Sequence, residues 1–156
     1  ENLKMAKPDA TKEEMEAVLQ KVNLLGFLQT QDGLQTQLLE KASNLSGGQC
    51  QRLVIARALL KEDSKVYIFD EAASNIDVES EELIMNVIHN LAKTKTVLLI
   101  SHRLANVVKS DKIYFLKDGE IKESGKHDEL MSRNGAYRHL YESQMALENY
   151  GKGGMA

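Results

Sequence analysis

The apolar positions of the chain follow two periodicities in turn. From Thr11 onward Met15, Val18, Leu19, Val22 and Leu25 recur at three- and four-residue spacing, and Thr11 with Glu14 makes a capping box, which predicts a helix from about Thr11 to Leu25. Gly26 and Gly33 punctuate a loop-rich region that runs to Asn44, with room for a short helix near Phe27. Ser46 and Gln49 repeat the capping-box pattern, and Leu53, Ile55, Ala56, Leu59 and Leu60 make the helix that follows largely apolar and therefore buried. The period then changes. Val66 to Asp70 reads as a strand, Asp77 caps a helix with Leu83, Ile84, Val87, Ile88 and Leu91 on one face, and Thr96 to Ser101 is a second strand. That second strand does not alternate, which predicts burial on both faces. A strand, a helix and a strand imply a parallel pair with a right-handed crossover. Leu104 to Lys109 reads as a short helix and Lys112 to Leu116 as a third strand, with Asp118-Gly119 as a hairpin turn into Glu120 to Glu123. Gly125 to Leu130 leads into a last helix from about Ala136 to Leu147, and the Gly-rich end, Gly151 to Ala156, is expected to fray.

Composition narrows the class. At 156 residues the length suits one domain, and 42% hydrophobic with 28% charged residues is the balance of a soluble globular protein. A net charge of −3 carries no footprint of nucleic acid or membrane-surface binding. The single cysteine, Cys50, excludes an internal disulfide and suits a reducing cytosol. No apolar run approaches the ~20 residues of a membrane-spanning helix, and no signal peptide is evident.

The candidate chemistry lies between Asn44 and Glu71. Ser46 starts a helix at two glycines, Gly47 and Gly48, whose missing Cβ atoms would let a ligand approach the backbone, and a helix N-terminus favours an anion such as phosphate. The strand at Val66 ends in two carboxylates, Asp70 and Glu71, a placement suited to holding Mg²⁺ and orienting a water. Each half alone also reads blandly, as a flexible turn and as a solvated strand end. Arg52 and Arg57 read as structural ion-pair partners in preference to phosphate contacts. His127 and His139 lack a further His or Cys at ligand spacing, which argues against a metal there.

Together and in this order the two halves resemble the nucleotide-binding domain of ABC transporters. Leu45 to Gln49 spell the LSGGQ signature, and Val66 to Glu71 are similar to the Walker B strand with its catalytic glutamate. The resemblance implies ATP and Mg²⁺ as cofactors, with Asp70 serving the metal, Glu71 as general base, and His102 as the switch histidine that contacts the γ-phosphate. Ser46, Gly47, Gly48 and Gln49 would act in trans on nucleotide held by a second nucleotide-binding domain. Ser74 to Asp77 resembles the D-loop, with Ser-Asn-Ile-Asp in place of Ser-Ala-Leu-Asp, so Asp77 is an interface residue, a plain N-cap, or both. Glu40 falls where exporters carry a coupling glutamate, but Ala42 stands where a glycine is expected, and Cys50 stands where many relatives have a basic residue. His127 to Leu130 and Gly135 to Leu140 are similar to the tail of exporter-type domains.

The residues contain no G-x-x-x-x-G-K-[ST] phosphate loop, no adenine-stacking aromatic ahead of it and no glutamine loop, and Glu1-Asn2-Leu3 resembles the segment just after that glutamine. The expectation is therefore an α/β fold of P-loop NTPase type with a partial parallel sheet. It comprises a helical signature subdomain over 1–60 and the C-terminal part of the ATPase core over 61–156. By the resemblance the parent is an ATPase that drives export through a transmembrane domain at the cytoplasmic face of the cell membrane, without nucleic acid, whereas these residues alone are inactive. Two other classes are a soluble ABC ATPase of DNA repair or translation and a non-catalytic module that supplies a signature surface in trans. The first usually carries coiled-coil or arm insertions, and none lies between Thr11 and Asn44. In the family's sheet the phosphate-loop strand lies between the strands at Thr96 and Lys112. The expectation is a gap there, closed by non-native pairing of those two strands or by domain swapping with a second copy.

Overall fold

The computed structural model describes residues 1–61 and 63–153, which divide into two compact units, Glu1–Ile100 and Ser101–Ala156. In the first unit Thr11 starts helix α1 (Lys12–Lys21) with the expected reciprocal cap, its hydroxyl accepting from the Glu14 N–H at 3.2 Å while Glu14 accepts from the Thr11 N–H at 2.9 Å. The helix is shorter than its apolar spacing predicts. Asn23 is left-handed (φ 52°), its N–H donates to Gln20, and the Leu24 N–H donates to Leu19 at 2.9 Å. This is a Schellman stop with asparagine in the place usually held by glycine. Leu24 is thereby turned into the core beside Leu19, and α2 (Leu25–Gln29) supplies the short helix expected near Phe27.

Helix α3 (Gly47–Leu59), strand β1 (Val66–Asp70), helix α4 (Val78–Ala92) and strand β2 (Thr96–Ile100) follow in order. The strands pair in parallel from Val66 opposite Thr96 to Asp70 opposite Ile100. Val18, Leu19 and Val22 of α1, Ile55 and Ala56 of α3, Tyr67 and Phe69 of β1 and Ile84, Met85 and Ile88 of α4 share one core. The expectation that the second strand is buried on both faces is not met: Leu98 and Ile100 are 49% and 45% exposed, and Val66 and Ile68 on β1 more so. A continuous apolar run means double burial only where both faces are covered, and α4 packs on one.

In the second unit β3 (Ile113–Lys117) and β4 (Glu120–Gly125) form an antiparallel hairpin with a bulge between Phe115 and Leu116. Asp118 and Gly119, at φ 54° and 76°, supply the left-handed turn that joins them. Leu104–Val107 forms a single 3-10 turn where a short helix to Lys109 was expected. Residues expected only to lead into the last helix form one of their own, α5 (His127–Ser132). The last helix, α6 (Ala136–Gly153), continues beyond Leu147 and through the first three residues of the segment expected to fray, and 154–156 lie outside the described residues. Ile113, Leu130 and Tyr137 are buried, and the Phe115 ring meets Tyr137 edge-on at 6.1 Å.

The two sheets are each two-stranded, and β2 does not pair with β3. The expected non-native closure of those strands is therefore not made.

Candidate functional site

The signature segment is built by a loop that tolerates unusual backbone. The Asn44 side chain accepts from the Leu39 N–H at 3.1 Å and donates to the Gln37 carbonyl at 3.0 Å, folding residues 37–44 back on themselves. Lys41 and Ala42 within that loop are both left-handed, at φ 55° and 54°. Alanine thus occupies a conformation that glycine adopts without strain. Ser46 then caps α3: its hydroxyl accepts from the Gln49 N–H at 3.2 Å, and Gln49 accepts from the Ser46 N–H at 2.8 Å. Gln49 is therefore committed to the cap.

The two glycines do different work. A Cβ on Gly48 would lie 2.1 Å from Ser80 Oγ, 2.4 Å from Ser80 Cβ and 3.5 Å from Asp77 Oδ2, so the first turn of α3 abuts the first turn of α4. At Gly47 the nearest atom is Ile76 Cγ2 at 3.7 Å, an ordinary contact. The space beside Gly48 is thus filled by Ser80, and ligand access through missing Cβ atoms is left to Gly47. Buried Arg52 reaches the Gly48 carbonyl at 3.2 Å and the Asn23 carbonyl at 2.8 Å, tying α3 to the end of α1. It is structural, as expected, but through carbonyl oxygens where an ion pair was expected.

Strand β1 delivers the acidic pair. Asp70 closes the register opposite Ile100, and the Glu71 N–H still donates to the Ile100 carbonyl at 3.0 Å, which extends the parallel ladder by one bond. Both carboxylates are exposed. Glu71 is left-handed (φ 48°), as is Asn75 (φ 56°), and this pair of turns carries the chain from β1 to the cap of α4. A glutamate held there is a backbone strain that the surrounding structure sustains, a feature that clusters at functional sites. Asp77 Oδ1 accepts from the Ser80 N–H at 2.8 Å. That bond, reinforced by the Ser80 hydroxyl, holds the Asp77 carboxyl below its ordinary 3.8. The N-terminal turns of α3 and α4 meet here, so their positive dipole ends add, with the Asp77 carboxylate between them.

Ser46, Gly47, Gly48 and Gln49 are thus gathered with Asp77 in the first unit, which also carries Asp70 and Glu71. His102 belongs to the second unit and is exposed there. Its carbonyl accepts from Gln144 Nε2 of α6 at 2.7 Å, and the Leu104 N–H donates to Gln144 Oε1 at 2.9 Å. Arg103 pairs with Glu148 at 2.8 Å. Sequence reasoning passed over Gln144 and Glu148, because polar residues on a helix surface carry no motif. His127 Nδ1 lies 2.8 Å from the Tyr137 hydroxyl, within an aromatic cluster that includes Tyr141. Among the described residues no group of three or more His, Cys, Asp or Glu is placed to hold a metal, and no helix is long and apolar enough to cross a membrane. One or two carboxylates completed by substrate phosphates and water is the usual Mg²⁺ arrangement, and the exposed Asp70 at the end of β1 would supply one of them.

The sequence profile described as ABC transporter matches residues 1–74. The chain is 52% identical over 148 residues to an ABC transporter ATP-binding protein of Haemophilus influenzae, spanning 95% of this chain and 26% of that protein. It is 44% identical over 140 residues to the ATP-dependent lipid A-core flippase of Mannheimia succiniciproducens, spanning 89% of this chain and 24% of the flippase. The structure of a bacterial Atm1-family ABC exporter with ATP bound superimposes with a TM-score of 0.82 at 30% identity, over 92% of this chain and 25% of that one. The chain therefore spans about a quarter of the length of these relatives. The α/β fold is that of an exporter's nucleotide-binding region, the P-loop NTPase type. Matched by that profile over residues 1–74 and 52% identical over 95% of its length to such a protein, the chain belongs to the ABC transporter ATP-binding family.

Proposed function

We propose that this chain supplies the signature and acidic half of an ATP-hydrolysing domain that drives export across a membrane. Residues 1–60 present the signature helix, and 61–156 belong to the catalytic core. The observation that carries the reading is the exposed first turn of α3 at Ser46 and Gly47, a helix end whose dipole favours an anion, whereas the end of α4 is already met by the Asp77 carboxylate. In this reading Ser46, Gly47, Gly48 and Gln49 form the mouth that closes on ATP held by a second nucleotide-binding domain, and Asp77 lines the interface between the two. Glu71 takes a proton from the attacking water as general base. His102 donates to the γ-phosphate oxygens, where negative charge must be balanced as the bond breaks. Asp70 gives a hard oxygen ligand to Mg²⁺, which when bound neutralises phosphate charge. A transmembrane domain completes the transporter at the cytoplasmic face of the membrane.

Isolated, the 156 residues hydrolyse no ATP, because they contain no phosphate loop, whose amides and lysine supply most contacts to the phosphates. The test is ATP-dependent binding of this chain to an ATP-loaded domain that carries a phosphate loop. Ser46→Arg, which puts bulk and charge at the helix mouth, should abolish binding. Thr11→Arg, which costs a comparable cap on α1, should leave it intact. Wild-type binding by Ser46→Arg, or no binding at all, overturns the reading.

A further inference from the structure

We propose that Gln144 is a positioning residue for His102, its carboxamide fixing to α6 the main chain that leaves that histidine, from the His102 carbonyl to the Leu104 N–H. A glutamine presents one donor edge and one acceptor edge in a single plane. Here the donor edge takes the His102 carbonyl at 2.7 Å and the acceptor edge takes the Leu104 N–H at 2.9 Å, so one side chain brackets Arg103 and holds the carbonyl end of the histidine. The intervening residue is held as well. The Ser101 hydroxyl accepts from the Arg103 N–H and donates to the Arg103 carbonyl, both at 3.1 Å. The Arg103 guanidinium meets Glu148, one turn beyond Gln144 on α6. Leu104 is buried and anchors the far end, whereas His102 itself is exposed. The segment that follows β2 and precedes the 3-10 turn at Leu104 is thus ordered by side chains of α6, and the histidine is the exposed residue at its centre. Only two χ angles of His102 remain to be set once its backbone is fixed, so the clamp decides where the imidazole can reach. What the clamp is for rests on the reading of His102 as the γ-phosphate contact, whereas the clamp itself does not.

The experiment separates the two. In the 156-residue chain, amide exchange at Leu104 and ¹³C relaxation of the His102 ring are measured for wild type, Gln144→Met and Gln144→Glu. Methionine keeps the length and removes both hydrogen bonds. Leu104 exchange should rise roughly tenfold, the weight of one such bond, and ring order at His102 should fall. Glutamate keeps the acceptor and sets a carboxylate against the His102 carbonyl, so Leu104 should stay protected while the ring loses order. Unchanged exchange and ring order in both variants overturns the clamp. In an ABC protein that carries this segment together with a phosphate loop, Gln144→Met should lower kcat several-fold at unchanged KM for ATP and add nothing in a His102→Ala background. Multiplying losses in the double variant overturn action through His102. Normal turnover by His102→Ala overturns the catalytic reading of that histidine, and the ring measurement still decides whether Gln144 holds it.

Discussion

Gly48→Ala separates a glycine kept for packing from one kept for a ligand. The added Cβ would stand 2.4 Å from Ser80 Cβ, where ordinary contact begins at 3.4 Å. Rotating the Ser80 hydroxyl relieves the contact with Oγ but not the one with Cβ, which moves only with the α4 backbone. The first turns of α3 and α4 must therefore part by about 1 Å, in a region where Ser80 is 6% exposed. Overpacking costs roughly 1–3 kcal/mol, and an overlap of about 1 Å with a Cβ lies in the upper part of that range, about 2–3 kcal/mol; alanine returns at most about 1 kcal/mol of helix propensity, which leaves a net loss of about 1–2 kcal/mol. In urea that shifts the midpoint down by roughly 0.5–1 M. Ser80→Gly opens the space, so the double variant should be more stable than the sum of the two singles by at least about 1 kcal/mol. The assay is equilibrium urea unfolding of the 156-residue chain, followed by far-ultraviolet circular dichroism, for all four members of the cycle. An unchanged or raised midpoint for Gly48→Ala, or additive single effects, would refute the packing argument.

At Ala42, glycine relieves a left-handed alanine at about 1–2 kcal/mol and gives back about 0.4–1 kcal/mol of unfolded-chain entropy, so Ala42→Gly should raise the urea midpoint slightly; a lower midpoint contradicts this. The Asp77 carboxyl is held below 3.8 by the Ser80 N–H, and Glu14 below 4.5 by Lys7 and the Thr11 N–H, so both contributions are present above those values and lost as pH falls through the lower folded ones. Stability should fall from about pH 4.5 downward, and Asp77→Asn, which caps without titrating, should flatten that fall below 3.8. In a complete ATPase carrying this segment, Glu71→Gln should lower kcat by about 10²–10⁴ with ATP binding retained, and wild-type turnover would remove Glu71 from the chemistry. The exposed apolar face of Val66, Ile68, Leu98 and Ile100 should drive self-association of the isolated chain, and a monodisperse monomer in light scattering would contradict that.

What the sequence made legible was local. The three reciprocal or single caps, at Thr11, Ser46 and Asp77, fall where the pattern of hydroxyl or carboxylate before an apolar run places them, because a cap is decided by residues three apart. The Asp118-Gly119 turn is legible for the same reason. The end of α1 was missed because its apolar spacing continues through Leu25. The stop is set by Asn23, whose tolerance of left-handed backbone competes with that spacing. Burial of β2 was misread because an apolar run does not say how many layers cover it.

The signature motif shows the limit most clearly. Its two glycines look equivalent in sequence, and the pair invites one explanation in terms of a close ligand. Their surroundings differ: Gly48 is pressed against Ser80 and Gly47 is not. Ser80 lies 32 positions away in the chain, at the third residue of a helix whose own cap is Asp77, so no local pattern links it to Gly48. Once that contact is known, the glycine pair has two separable duties. Gly48 lets the two N-terminal turns meet, and in the proposed reading Gly47 leaves the end of α3 open to an anion. Binding strength at that end and stability of the α3–α4 contact therefore depend on one another. A substitution at Gly48 should weaken both, whereas one at Gly47 should weaken binding alone.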